Sequence, residues 1–265
     1  MSSYLGLFKM QFMGELQYRA KAWSGIATQF FWGLMYIYLY TTVLSGGKFS
    51  GFTIVQLASY IWLNQAFFAL RSTAIYKRAA TDIVSGDVCY KFVRPMDIYS
   101  HWYAEYLGEK LSATILRCFP IIIVCLLLPK NIGLALPVSF VSFILFLISL
   151  IIGLLMAVAL SMFALDITFK TQSPKGASTL VNTVSGLFGG MFIPLPLLPK
   201  NLLKIVDYLP FRYISDLPLR IYVGHVSVVE GLIHIGIGSA WLITIILLGK
   251  LVLKQSLKKT IIQGG

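Results

Sequence analysis

Six long apolar runs, at about residues 25–44, 53–70, 107–128, 136–165, 176–195 and 231–253, leave this chain few ways to fold. About 20 mainly apolar residues are what a helix needs to cross a hydrocarbon core. Inside that core a single segment satisfies its own backbone only as a helix. The predicted fold is therefore an all-α polytopic membrane protein, a single transmembrane domain over residues 1–265. Six transmembrane helices are expected, with an N-terminal interfacial helix over 1–24 and two short re-entrant helices, within 196–230, before the last span. Charged residues make up only 12% of the chain, against roughly 25% in soluble domains.

The net charge of +12 raises the possibility of nucleic acid, but its placement follows topology. With alternating spans, 16 of the Lys and Arg residues fall on one side and six on the other. The richer side holds Lys9, Arg19 and Lys21, the first large loop, Lys110, Arg117, Lys170, Lys175 and the lysines from Lys250 to Lys259. By the positive-inside rule that side, with both termini, is cytoplasmic, and the surplus favours anionic lipid heads. The expected location is the inner or plasma membrane. The first run is read as a signal anchor, since no small-x-small cleavage pattern ends it.

Residues 3–22 carry Leu5, Phe8, Phe12 and Leu16 at helical spacing, which reads as an interfacial helix or as an extension of span 1 bent at Gly25. In span 2, Thr53, Gln56, Tyr60 and Asn64 share one helical face. Polar groups in hydrocarbon need partners, so this face either lines a wet path or bonds to a neighbouring helix. Span 4 has a row of small residues at Ser139, Ser142, Ser149 and Gly153, with Pro137 in its first turn; Pro120 interrupts span 3. Span 5 places Ser178, Asn182, Ser185 and Gly189 on one face, and Gly186 and Gly190 form a GxxxG beside it. That pattern serves packing within the chain, a subunit contact or a transport path. The connection 196–230 is too apolar for a solvated loop, and Pro199 and Pro210 bracket a ten-residue segment with an apolar face.

The polar loop 71–105 breaks the apolar pattern most sharply. It carries Arg71, Lys77, Arg78, Lys91 and Arg94 against Asp82, Asp87, Asp97 and Glu105. Ser85–Gly86 can stop one helix through a left-handed cap. Asp87 can cap the next, and Arg94–Pro95 ends it. Val88, Phe92 and Val93 offer an apolar face, with Lys91 and Arg94 as charges. The loop is either a docking surface or a solvated segment.

Chemistry is scarce. There is no GxxxxGK[ST] phosphate loop, no HExxH, no GxSxG and no CxxC. No carboxylate lies near the middle of a span, which argues against a carboxylate proton relay. Cys118 and Cys125 read as packing residues. The three histidines form no ligand set.

The segments DIVSGDVCYKFVRPMD and FIPLPLLPKNLLKIVDYLPFRYISDLPLRIYVG resemble the ABC type-2 transporter permeases, in the branch with separate permease genes related to drug and viologen exporters. The resemblance implies a permease without its own nucleotide site or enzymatic activity. Two such chains, identical or different, would pair with two ABC ATPase subunits that bind ATP and Mg. It places the ATPase-coupling element at about Thr81–Arg94, on Asp82, Ser85, Gly86, Asp87, Val88, Lys91, Phe92 and Arg94, closed by Pro95. It assigns the path to spans 2 and 5, at Thr53, Gln56, Tyr60, Asn64, Ser178, Asn182, Ser185 and Gly189. It caps that path with outer helices around Pro194, Pro199, Pro210, Phe211 and Pro218. The expected function is ATP-driven export of an amphiphilic or hydrophobic substrate. The competing readings are an ATP-independent transporter or channel and, with no clustered residues to support it, an intramembrane enzyme.

Overall fold

The computed structural model describes residues 2–45, 52–92, 96–129, 131–191, 194–195 and 198–259. Among these residues all regular structure is helical. The order is α1 (Ser2–Glu15), α2 (Arg19–Ser45), α3 (Ile54–Ala66), α4 (Phe68–Arg71), α5 (Lys77–Ser85), α6 (Cys89–Phe92), α7 (Ile98–Leu127), α8 (Phe140–Thr171) and α9 (Pro174–Phe188). Then come α10 (Lys200–Asp207), a 3-10 turn over Pro210–Ile214, α11 (Asp216–Tyr222) and α12 (Val228–Lys259).

Among the described residues, three helices are long and apolar enough to cross a membrane: Ile98–Leu127, Phe140–Thr171 and Val228–Lys258. The other expected spans are built differently. Helix α2 has 27 residues, about 40 Å of rise, with a more polar sequence. Helix α3 has 13 residues and α9 has 15. Both stop where the apolar runs continue. After α3 the chain turns at Phe67, forms α4 and becomes non-helical over residues 72–76.

Several boundaries move from their sequence positions. The N-terminal helix ends at Glu15 instead of running to residue 24, and the helix of the first apolar run already starts at Arg19. The chain passes Gly25 without a break, because the turn lies at residues 16–18. Helix α1 lies against α7: a side chain at Gly108 would collide with the Phe8 carbonyl. The stripe expected on α1 is split, with Leu5 exposed and Phe8 and Phe12 half-buried. Helix α7 begins at Ile98, so the last part of loop 71–105 is its first two turns, and it continues through Pro120. Helix α8 starts after Pro137, with Ser139 as its cap accepting the Ser142 amide. The GxxxG of span 5 is not a helical motif, since α9 ends at Phe188 and Gly190 adopts φ +77°.

The small-residue row of α8 does make a close approach, but to non-spanning chain. A Cβ at Gly153 would lie 2.5 Å from the Ile214 carbonyl and 3.0 Å from that of Tyr213. Gly153 lies about 20 Å along α8 from its first residue, so the 3-10 turn and the buried α11 reach deep along this helix. Helix α10, set between Pro199 and Pro210 as expected, buries only Val206 and leaves Leu202 and Ile205 exposed. The core has two parts. One joins α2, α3, α7, α8 and α11 around Trp62, Ile121 and Met156. The other lies under α5 and α6, around Tyr76, Trp102, Met162 and Leu165.

Candidate functional site

The polar loop folds into two short helices pinned to the body. Helix α5 is strongly amphipathic: Ala79, Ala80 and Ile83 are buried, while Lys77, Arg78, Thr81 and Val84 are exposed. Gly86 ends it at φ +83°, with open space around its missing Cβ. The backbone, not crowding, therefore requires glycine here. The Val88 amide returns to the Asp82 carbonyl at 3.1 Å. The Asp87 side chain does not act as the expected cap of α6. Its carboxylate accepts the Ser85 hydroxyl at 2.6 Å, and its backbone carbonyl receives the Tyr90 amide.

Two of the expected docking residues turn inward. Val88 is only 2% exposed and packs in the core beneath α5. Lys91 pairs with Asp82 at 2.8 Å and stands 5.5 Å from the Trp102 ring centre. The outward surface is carried instead by Val84, 49% exposed, and Tyr90, 76% exposed, with Lys77, Arg78, Thr81, Ser85 and Asp87 around them. A groove of about 590 Å³ separates Thr81 and Val84 from Lys175 and Thr179 at the start of α9. Val93, the Phe92 side chain, Arg94 and Pro95 lie outside the described residues.

The non-helical stretch 72–76 is where most polar groups converge, because its buried amides and carbonyls need partners. Asn182 Oδ1 accepts the Thr73 amide at 3.0 Å and Ser178 Oγ accepts the Ile75 amide at 3.1 Å. The Tyr106 hydroxyl donates to the Ala74 carbonyl at 2.6 Å. The Lys110 ammonium donates to the carbonyls of Ala69, Leu70 and Ser72. Lys110 is thus a buried helix C-cap, not a solvent-exposed charge. Below the stretch, Tyr76 donates to Glu105 at 3.2 Å, and His101 lies 3.4 Å from the same carboxylate. Burial, reinforced by the Glu105 charge, pushes the Tyr76 phenol up, so it stays protonated and donating. Near the start of α7, burial would raise the Asp97 carboxyl, but hydrogen bonds from Ser100 and the nearby Lys250 charge hold it below the usual carboxylate range.

On α9, Ser178 and Asn182 hold this stretch, whereas Gly189, just past the helix, accepts the Ser215 hydroxyl of the outer connection at 2.9 Å. Ser185 is buried between them. On α3, Thr53 and Gln56 form a reciprocal cap, and Gln56 Nε2 reaches the Val223 carbonyl at 3.1 Å. Tyr60 is buried and donates to Asp216 at 2.9 Å. Asn64 accepts from the buried Arg71. All four polar side chains of the stripe therefore have partners within the chain. Asn64 also borders a small cavity with Tyr36, Tyr40, Met191 and Pro194.

The connection 199–226 has its own polar network. Asp216 is fully buried between Tyr60 and Arg220, at 2.9 and 3.5 Å, and Arg220 Nε donates to His225 Nδ1 at 3.2 Å. Arg212 is buried and paired with Asp207. Pro199 leads into α10, Pro210 opens the 3-10 turn, Phe211 stacks on Phe188 at 5.9 Å, and Pro218 is buried in α11. Sequence reasoning missed Lys110, Arg71 and Asp216. The available signal was that each is a charge beside an apolar run, where it needs a partner.

No group of His, Cys, Asp and Glu among the described residues has metal-site geometry. A family model described as ABC-2 family transporter protein matches residues 29–264. No curated protein matches the chain. With three helices able to cross a bilayer and a family match from the first apolar helix to the last, this chain belongs to the ABC-2 type transporter permeases: it is the membrane-embedded permease of an ABC transporter, working with an ABC ATPase.

Proposed function

We propose that this chain is half of an ATP-driven exporter and that it receives work from its ATPase through α5 and α6. The observation that supports this best is the contrast between the two faces of that element. Its inner face meets α7 where Lys91 stands over Trp102, and the stretch that leads into it is tied to α7 and α9 by Tyr76, Ser178 and Asn182. Its outer face presents Val84 and Tyr90 among charged residues. A short rigid element fixed to two long helices transmits a push as rigid-body movement, and an exposed tyrosine is a favourable anchor for a protein partner.

In this reading six segments cross the plasma membrane, both termini and the α5–α6 element are cytoplasmic, and a second permease chain completes the unit. Helices α3 and α9 flank the path, which passes the cavity beside Asn64, Tyr36 and Tyr40. The outer connection re-enters as far as Gly153 and closes the path from outside. Its uncharged, tyrosine-rich lining suits an amphiphilic or hydrophobic cargo. The test is purification of the permease with its ATPase. Val84→Asp with Tyr90→Asp is expected to lower ATPase retention and cargo-stimulated hydrolysis at least about tenfold, about 1.4 kcal/mol of binding. Unchanged retention and coupling would sink the assignment.

A further inference from the structure

A groove of about 640 Å³ lies between the start of α7 and the end of α12, and the coupling element does not use it. Lys250 and Lys254 line it from α12. They are one helical turn apart, about 6 Å along the axis. Asp97 and Tyr99 line it from the α7 side, with Leu251 and Leu257 among its apolar walls.

The charges do not cancel. Lys250 shares Asp97 at 3.6 Å and lies 5.9 Å from the Tyr99 ring centre. Asp97 is already engaged by the Ser100 hydroxyl and amide, at 2.6 and 2.9 Å. Lys254 is exposed and has no ion-pair partner among the described residues. Tyr99 is 3% exposed, and its hydroxyl has no hydrogen-bond partner among the described residues. The groove also opens beside Leu247, Leu248 and Leu251, which are exposed on α12, near where its apolar sequence gives way to Lys254 and Lys258.

We propose that this groove binds one anionic phospholipid from the leaflet on the side of the chain termini. The phosphodiester lies between Lys250 and Lys254, and an acyl chain follows Leu247 and Leu251. Two cations against one occupied carboxylate match a headgroup with net negative charge, and an apolar wall beside them matches the chain below it. Of the reading above, the site uses only the orientation that places both termini in the cytoplasm.

Native mass spectrometry of the full-length permease in mild detergent, with phosphatidylglycerol or phosphatidylcholine at equal concentration, tests it. Wild type is expected to hold one phosphatidylglycerol about tenfold better than phosphatidylcholine. Lys250→Gln with Lys254→Gln should abolish that preference without changing thermal unfolding, and Lys250→Arg with Lys254→Arg should keep it. Equal retention of the two lipids by wild type, or an undiminished preference in the glutamine variant, overturns the site. So does a glutamine variant that loses the ATPase yet holds phosphatidylglycerol normally, which would give the groove to the ATPase. Lipid retention is read on the permease alone, so its failure and a failure of ATPase coupling are separate results.

Discussion

The segment 72–92 and the connection 199–226 are both polar interruptions of a membrane chain, yet they are held in opposite ways. Beside its own Lys91–Asp82 pair, the first is secured mainly from outside itself: its backbone over 72–75 is bonded by Ser178, Asn182, Tyr106 and Lys110, from α7 and α9. The second carries its own ion pairs, Asp207 on Arg212 and Asp216 on Arg220, and is linked to the body through Gln56, Tyr60, Ala135 and Gly189. The first leaves an outward face of Val84 and Tyr90, whereas α11 of the second is almost wholly buried. An element whose anchors belong to other helices moves when they move. An element that carries its own ion pairs and fills the interior behaves as a wedge. The α9 face from Ser178 to Gly189, about 16 Å long, touches both.

This contrast can be broken in stages. The largest effect is expected from Asp216→Ala. It removes the buried carboxylate that holds Tyr60 and the half-buried Arg220, so stability should fall by about 3–5 kcal/mol, read by thermal unfolding in detergent. If the wedge is instead loosely held, the transition will not move. Next, Lys110→Met leaves three carbonyls without their donor. A loss of about 2–3 kcal/mol is expected, together with faster proteolysis within segment 72–92. Asn182→Leu removes a single acceptor from the Thr73 amide. A loss of about 1–2 kcal/mol should follow, with hydrogen exchange rising at segment 72–76 and not at α11. Uniform exchange across both regions would erase the distinction. The smallest stability change is expected for Tyr90→Ala, within about 0.5 kcal/mol of wild type, although ATPase retention should drop. Stability and coupling would then part at the outward face, as they should not in α11.

Much of this arrangement was legible in the chain. The apolar runs marked α7, α8 and α12. Ser85–Gly86 located the end of α5 because a left-handed residue there all but demands glycine. Pro199 and Pro210 framed α10. The errors have a common cause. Hydropathy reports what a segment is surrounded by, not whether it remains helical, so the runs at 53–70 and 176–195 concealed helices of 13 and 15 residues. Val88 and Lys91 fitted a docking face by composition, but the amphipathic direction of α5 and the nearby Trp102 and Asp82 drew both inward. Lys110 counted as one more positive charge because its acceptors lie about 40 residues earlier in the chain.

By itself the sequence determined that this protein is helical, that it lives in a membrane, and that alternating spans would put most of its Lys and Arg on one side. Each follows from local quantities: runs of apolar residues, their length, and the placement of Lys and Arg. The tertiary structure decided which polar residues are occupied and which are on offer. Ser178, Asn182, Tyr60 and Lys110 are committed to partners far away in sequence, whereas Val84, Tyr90 and Lys254 are left facing outward. A buried donor or acceptor must find a partner wherever the fold places one, and no local pattern encodes where that is.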